Sequence, residues 1–497
     1  MKAIILMFDS LRKDMLSCYG GSVKLPNFER LAAHTVKYEH CYAGSLPCMP
    51  ARREIHTGRY NFLHRSWGPL EPFDASMPEI LKNNGIYTHL TTDHYHYLQD
   101  GGATYHSRYN TWECYRGQES DAWAADMTVS EKEFAPTQLS PQQTLGKARE
   151  MRKAGGWQNY KNRQRIHGEE DYPMVHTFQN GISFLKENYQ YDNWMLQIET
   201  FDPHEPFDSP SECQAHFLSP DEMSSPDWPP YAQVSEDSEV VGLMRRKYEA
   251  MLVFCDKQLG TLLDEMDRLE LWKDTLLIVN TDHGFFLSEH GWWGKGSMPN
   301  YEELVHTPFF MWNPRTKEQN TTSSRLVQTI DIAPTMLDYF NIEIPKSMRG
   351  QSLLSNAVEA GGRYILFGYH SGPIGITDGR YVLLHAVAQA SVQTYEYTLM
   401  PAHMKGFFSK EELMGAELVS GYNFTDNVPV LKIPDQVNPR FISSIPFGEN
   451  LLYDLKTDPL QEKPLKDERM TKELLVQMKR LMEENDAPQE IYDYYGL

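Results

Sequence analysis

Three apolar runs in this chain end directly in acidic residues, and that repetition constrains the fold more than any other feature. "KAIILMF" (2–8) is followed by Asp9, "NWMLQIETF" (193–201) by Asp202 and His204, and "DTLLIVNT" (274–281) by Asp282 and His283. Each run has the length of a buried strand and is bounded by polar residues. "GIYTHLTT" (85–92) and "VHTPFFMWNP" (305–314) read as further strands. Helical patterns lie between them: "LPNFERLAAHTV", "MPEILKNN" and a long segment over 243–272. In that segment Leu252, Cys255, Leu259, Leu262, Leu263 and Met266 recur at helical spacing, which predicts a core-facing helix. Alternating strand and helix predict an α/β fold, a large mixed, mostly parallel sheet sandwiched by helices. Such sheets bind ligands beyond the carboxyl ends of their strands, so the three polar strand ends are expected on one rim.

Past "IDIAPTMLDYFNIEIPKSMRGQSLL" the pattern changes to short strands: "RYILFGY", "GPIGITDGRYVLLHAV" and "TYEYTLM", with "NLLYDLKTDPLQEKPL" and a terminal helix near 470–485 following. Two units are predicted: a catalytic domain over 1–360, and a smaller C-terminal α+β subdomain over 361–497 with an antiparallel sheet. Residues 118–172 are polar, weakly periodic and locally basic between Lys147 and Arg165, and read as an insertion. A solvated excursion, a subunit-contact arm that would permit a homo-oligomer, and a lid over an anionic substrate all fit that composition.

The formal net charge of −21 argues against nucleic acid or an anionic membrane as the main partner. The six cysteines are scattered, without the paired spacing of a zinc knuckle or a disulfide framework. The apolar run in "MKAIILMFDSLRKD" stops too soon for a signal peptide, and no segment approaches a membrane span. A cytoplasmic protein with reduced cysteines is expected.

The stretch "SLPCMPARREIHTGRY" (45–60) holds the chemistry. A phosphatase-type loop would need arginine six positions after Cys48, where Glu54 would instead repel an anion. A papain-like pairing needs a tailored histidine partner that nothing local identifies, and a lone thiolate among oxygen ligands is an unusual soft–hard mixture. Cys48-Met49-Pro50-Ala51-Arg52 instead resembles the C-x-P-x-R signature of type I sulfatases, in the alkaline phosphatase superfamily. "FDSLRKDMLSCYG" resembles that family's first metal strand, "DPHEPF" its histidine loop, and "NTDHGFFLSEHGWWGKG" its second metal strand and lysine. "IDIAPTMLDYF" and "LLYDLKTDP" are similar to late landmarks, so the resemblance runs in order along nearly the whole chain, residues 118–172 excepted.

The resemblance implies an alkaline phosphatase-like fold and a sulfuric ester hydrolase acting on a small sugar or aryl sulfate. It implies that Cys48 is converted by a formylglycine-generating enzyme to Cα-formylglycine, whose hydrate attacks sulfur. Asp9, position 48, Asp282 and His283 are the implied ligands of one divalent metal. Arg52 is expected to stabilise the diol and the metal carboxylates, Lys295 to contact a sulfate oxygen, and His204 to protonate the leaving alcohol. Pro50 suits the first turn of a helix that aims free N–H groups at an anion.

Two departures from the family pattern stand out. Asp9-Ser10 stands where many members have paired aspartates, and Asp282-His283 where some have Asp-Asn, making the site less anionic and less purely oxygen-donating. Calcium is the family expectation; manganese or zinc becomes more plausible with imidazole present. A similar pattern occurs in phosphonate monoester and phosphodiester hydrolases, the alternative function. A third reading is a non-catalytic protein that binds sulfated ligands through an unconverted Cys48. In "GIYTHLTTDHYHYLQDGG", Asp93 stands where lysine is expected, and either His94 or His96 is a candidate base or sulfate contact. On an extended backbone these two rings would share one face. Trp292 and Trp293 suit either a substrate ring or the core.

Overall fold

The structure, a computed structural model, describes residues 1–129, 138–139, 147–355, 362–436 and 444–497. Part of the expected insertion (130–137 and 140–146) and the expected boundary near 360 lie outside the described residues.

Lys2–Phe8 is central in a nine-stranded sheet, flanked in parallel by Trp194–Thr200 and Thr275–Thr281. Tyr87–Thr92 and Thr111–Cys114 extend it in parallel on one side. On the other side Phe309–Trp312 runs antiparallel between Thr275–Thr281 and Val36–Tyr42, which also pairs with Thr321–Gln328. The fold class is therefore the α/β arrangement expected, with a mixed, mostly parallel sheet.

The alternation of side chains along Lys2–Phe8 feeds two cores. Ile4, Leu6 and Phe8 face one layer of helices, while Ala3, Ile5 and Met7 face the other. The first layer is built from Pro26–His34, Pro173–Asn188 and the 31-residue helix Ser238–Arg268. All six apolar positions read from the long helix are buried, each contributing roughly 2 kcal/mol. Asp237 caps that helix, accepting from the N–H groups of Glu239 and Val240, both at 3.0 Å. Cys48–Thr57, Met77–Asn83 and Ile332–Tyr339 form the second layer.

A five-stranded sheet follows, ordered Asn450–Asp454, Tyr381–His385, Ile374–Thr377, Ile365–Tyr369 and Ser45–Leu46. Its first four strands are antiparallel, and one face is covered by Glu468–Glu484 and Gln489–Tyr495. The fifth strand comes from far upstream and ends two residues before Cys48. The main sheet and this smaller one are thus stitched together next to Cys48. Among the described residues, no helix is long and apolar enough to cross a membrane.

Candidate active site

Four neighbouring strands of the main sheet end level. Phe8 pairs with both Thr200 and Thr281, and Thr92 with Glu199, so Asp9, Asp202, Asp282 and Asp93 emerge on one rim. The helix Cys48–Thr57 begins above that rim, with Cys48 as its first residue. Asp9, Cys48, Asp282 and His283 are all buried, and each offers a ligand atom within 4.8 Å of the others. His283 Nδ1 lies 2.8 Å from the Gly284 carbonyl and must donate to it, because a carbonyl only accepts. The lone pair of Nε2 then faces Cys48 Sγ, 3.3 Å away.

Arg52 lies one helical turn beyond Cys48 and ties the cluster together. Its Nε donates to Glu199 at 2.6 Å, its Nη1 to Asp282 at 2.7 Å and to the Cys48 carbonyl at 3.0 Å, and its Nη2 to Asp9 at 2.9 Å. Glu199 is held in turn by the Tyr97 hydroxyl at 2.9 Å and Gln197 at 3.1 Å. This acid was absent from the residues expected at the site. A carboxylate inside the buried run "NWMLQIETF" was the available signal, since an unpaired charge there is untenable.

Ser10 is a hub of a second kind. Its backbone adopts φ +64°, a left-handed conformation costing about 1 kcal/mol for a non-glycine residue. Asp282 accepts from its N–H at 3.0 Å and the Tyr248 hydroxyl donates to its carbonyl at 2.8 Å, which holds the turn. The Ser10 hydroxyl donates to Asp9 at 2.7 Å and accepts from Lys295 at 2.9 Å. Burial works against the Asp9 carboxylate, but the charges of Lys295 and Arg52 outweigh it and hold its pKa well below the ordinary value. Burial likewise opposes charge on Lys295, yet Cys48, Asp9 and Glu205 raise its pKa.

The structure gives the three candidate histidines different partners. Tyr95–Leu98 forms a 3-10 turn, not an extended strand, and the His94 and His96 rings, with centroids 5.1 Å apart, take different partners. His94 Nε2 sits 3.5 Å from Asp9, while His96 Nδ1 turns to Gln99 at 2.7 Å and its ring packs edge-on against Trp67. Burial and then Arg52 push the pKa of His94 down to about 3. His204 Nδ1 lies 2.5 Å from the Glu205 carbonyl and packs on Phe201. Burial, with Lys295 second, holds its pKa well below the usual imidazole range.

Asp93 takes no lysine-like role: it accepts from the Phe201 N–H at 2.8 Å and shares the Gln118 amide with Asp202, at 2.9 and 3.3 Å. Gln118 opens the stretch read as an insertion, which therefore reaches the rim. Trp293 belongs to the core, its indole N–H donating to Glu236 at 2.8 Å, and Trp292 is partly buried against the smaller sheet's core.

The family model for sulfatases matches residues 2–342. The chain belongs to the sulfatase family. A second model, the C-terminal region of N-sulphoglucosamine sulphohydrolase, matches residues 288–415. Among curated relatives of this sulfatase, the N-acetylglucosamine-6-O-sulfatase of Bacteroides thetaiotaomicron is 24% identical over 401 residues, 70% of this chain and 69% of that protein. Human arylsulfatase K is 24% identical over 386 residues, 71% of this chain and 65% of that one. The fold is shared with a solved structure described as a complex with its substrate D-glucosamine-2-N,6-O-disulfate. That pair has a TM-score of 0.66 at 16% identity, over 98% of this chain and 99% of that one. The phosphonate monoester hydrolase of Agrobacterium radiobacter aligns with a TM-score of 0.64 at 17% identity, over 98% and 95%. By family the sulfatase is a sulfuric ester hydrolase.

The donor set of this sulfatase fits the divalent metal its family uses. Two carboxylates and an imidazole lone pair converge with position 48 in a buried site. The lysine and arginine partners of Asp9, Asp282 and Glu199 are Arg52 and Lys295, two cations to three carboxylates, leaving a negative charge that a metal ion would neutralise.

Proposed function

We propose that this chain hydrolyses sulfate monoesters of a small sugar or aryl substrate, with a formylglycine made from Cys48 as nucleophile. The observation that carries this reading is the position of Cys48: the first residue of a helix, 3.3 Å from the free nitrogen of His283 and braced from behind by Arg52. The free N–H groups of that first turn point toward an incoming anion. The names of the relatives, sulfatases of sulfated sugars among them, support a sulfated sugar as the substrate class.

Asp9, position 48, Asp282 and His283 would hold one divalent cation, calcium by family expectation, with the imidazole favouring manganese or zinc. When bound, it supplies Lewis-acid polarisation and makes a hydroxyl at position 48 easier to deprotonate. Arg52 fixes the two carboxylates and the Cys48 carbonyl in one frame. Lys295 presents its ammonium where charge gathers on the sulfate oxygens. At rest His204 is neutral, its Nδ1–H committed to the Glu205 carbonyl and its Nε2 able to receive a proton. His204 is the group proposed to pass a proton to the leaving alcohol, beside Lys295, whose charge an incoming sulfate anion would offset.

The donor pair Asp282-His283 also suits phosphonate monoester hydrolysis, the second reading. The protein is made in cells with a formylglycine-generating system, and the peptide carrying Cys48 is weighed. Matched aryl sulfate, phosphate and phosphonate esters are then compared. A peptide lighter by the exchange of SH₂ for O, with sulfate the preferred ester, is expected. Turnover of phosphonates but no sulfate ester by fully converted, metal-loaded protein would overturn the proposal in favour of the second reading. An intact thiol with no turnover would favour a sulfated-ligand binding protein.

A further inference from the structure

A second group of metal-type donors lies outside the site described above. His370 follows the strand Ile365–Tyr369, Glu396 lies in Tyr395–Thr398, and Asp435 follows Val430–Pro434. Among the described residues this is the one other place where three such donors have ligand atoms within 4.8 Å of one another.

The chemistry of each donor points inward. His370 is 8% exposed, and its Nδ1 lies 2.8 Å from the Phe62 carbonyl, to which it must donate. That bond fixes the tautomer and leaves the Nε2 lone pair facing Asp435 Oδ2, 3.4 Å away, with no hydrogen-bond partner. An imidazole whose other nitrogen donates to a backbone carbonyl is the arrangement found behind metal-bound histidines. The Asp435 carboxylate is oriented by the hydroxyls of Ser371 at 2.9 Å and Thr394 at 3.4 Å. It is also the most exposed of the three donors, which opens a route for an ion.

Charge decides between a cation and a proton. Arg65 is fully buried and is shared by Glu396, its hydrogen-bond partner, and Glu71, 3.5 Å from its Nε. Asp435 adds a third carboxylate on the far side of His370, and His403 lies 3.9 Å from Glu396 Oε2. A proton on Nε2 would answer Asp435 alone, whereas a divalent ion would be shared by Asp435 and Glu396.

We propose that His370, Glu396 and Asp435 form a second metal site, distinct from the Asp9–Asp282–His283 cluster, that takes a divalent first-row ion such as zinc. One nitrogen and two carboxylate oxygens suit that class better than calcium. The ligands come from two sheets, so the ion pins the three-stranded sheet Tyr395–Thr398, Val430–Pro434 and Glu417–Val419 to the five-stranded one.

Purified full-length protein is stripped with a chelator, equilibrated with zinc alone, and its metal counted per chain by mass spectrometry alongside thermal unfolding. The wild type is expected to carry one equivalent more than His370→Ala or the near-isosteric Asp435→Asn. Asp282→Asn should keep this equivalent while weakening the other cluster. Zinc should raise the unfolding temperature of Asp282→Asn but not that of Asp282→Asn/Asp435→Asn. Equal zinc in wild type and both C-terminal variants would overturn the proposal. So would a His370 ring shown by nitrogen NMR to be doubly protonated in the zinc-treated wild type.

Discussion

Glu199 Oε1 accepts from Arg52 Nε at 2.6 Å, with both side chains essentially sealed from solvent. The pair links the middle of the sheet to the helix that begins at Cys48, because the other two arms of Arg52 reach Asp282 and Asp9. Truncating one partner strands a buried charge. Glu199→Ala is expected to cost about 3–5 kcal/mol of stability. Glu199→Gln should cost less but let the guanidinium drift, lowering kcat on the order of 10²-fold. Denaturant titration and steady-state kinetics check both, and a wild-type kcat in Glu199→Gln would remove Arg52 positioning from the mechanism.

His204 is assigned the leaving-group proton, and that role has a kinetic signature. His204→Asn should lower kcat on sugar or alkyl sulfates by about 10²–10⁴-fold. On a nitrophenyl sulfate, whose leaving group needs no proton, the loss should be far smaller. A plot of rate against leaving-group pKa steepens in the variant if this is right. Equal losses across the series would show that His204 binds substrate and does not move a proton.

Ser10 occupies a position where a second carboxylate would face Asp9 and Lys295. Asp tolerates the left-handed backbone there better than most residues. Ser10→Asp is therefore expected to fold and to tilt the first metal site toward harder ions, with calcium affinity rising about tenfold relative to zinc. Competitive metal titration measures the ratio, and an unchanged ratio would mean that Ser10 lies outside the metal's reach.

Glu54 lies on the same helix as Cys48 and is fully buried, accepting from the Ser45 N–H at 2.6 Å and from the Thr329 hydroxyl. Burial raises its pKa to about 7, above the ordinary glutamate value. Between the unfolded and folded pKa the native state holds a proton that the unfolded chain has lost. Stability from this group is therefore present at acid pH and falls as pH rises toward about 7, by about 1.4 kcal/mol per unit. Glu54→Gln should flatten that slope, so denaturation midpoints of the two proteins should converge or cross between pH 5.5 and 8. Parallel curves would place the effect elsewhere.

The main sheet and its rim were legible because parallel strands buried on both faces must be continuous apolar runs, and three of them ended in acids. Val36–Tyr42 escaped for the opposite reason: "VKYEHCY" carries lysine, glutamate and histidine yet sits between neighbours in the sheet. Lys37 reconciles the two by reaching the Cys18 carbonyl at 2.7 Å. His94 and His96 could not be separated on sequence because spacing assumes a backbone, and a 3-10 turn there changes which ring reaches Asp9. Gln118 was invisible as a rim residue, since nothing in a polar segment says which amide will bridge Asp93 and Asp202.

The two-residue strand Ser45–Leu46 pairs with Gly368 and Tyr369, more than 300 positions later in the chain. During synthesis that partner does not exist until most of the protein has left the ribosome. The strand that precedes Cys48 must wait, unpaired, for the length of that interval, and in the finished fold the thiol is only 2% exposed. Any chemistry performed on Cys48 by another protein therefore has a deadline: it is open on the growing chain and closes when the last third arrives.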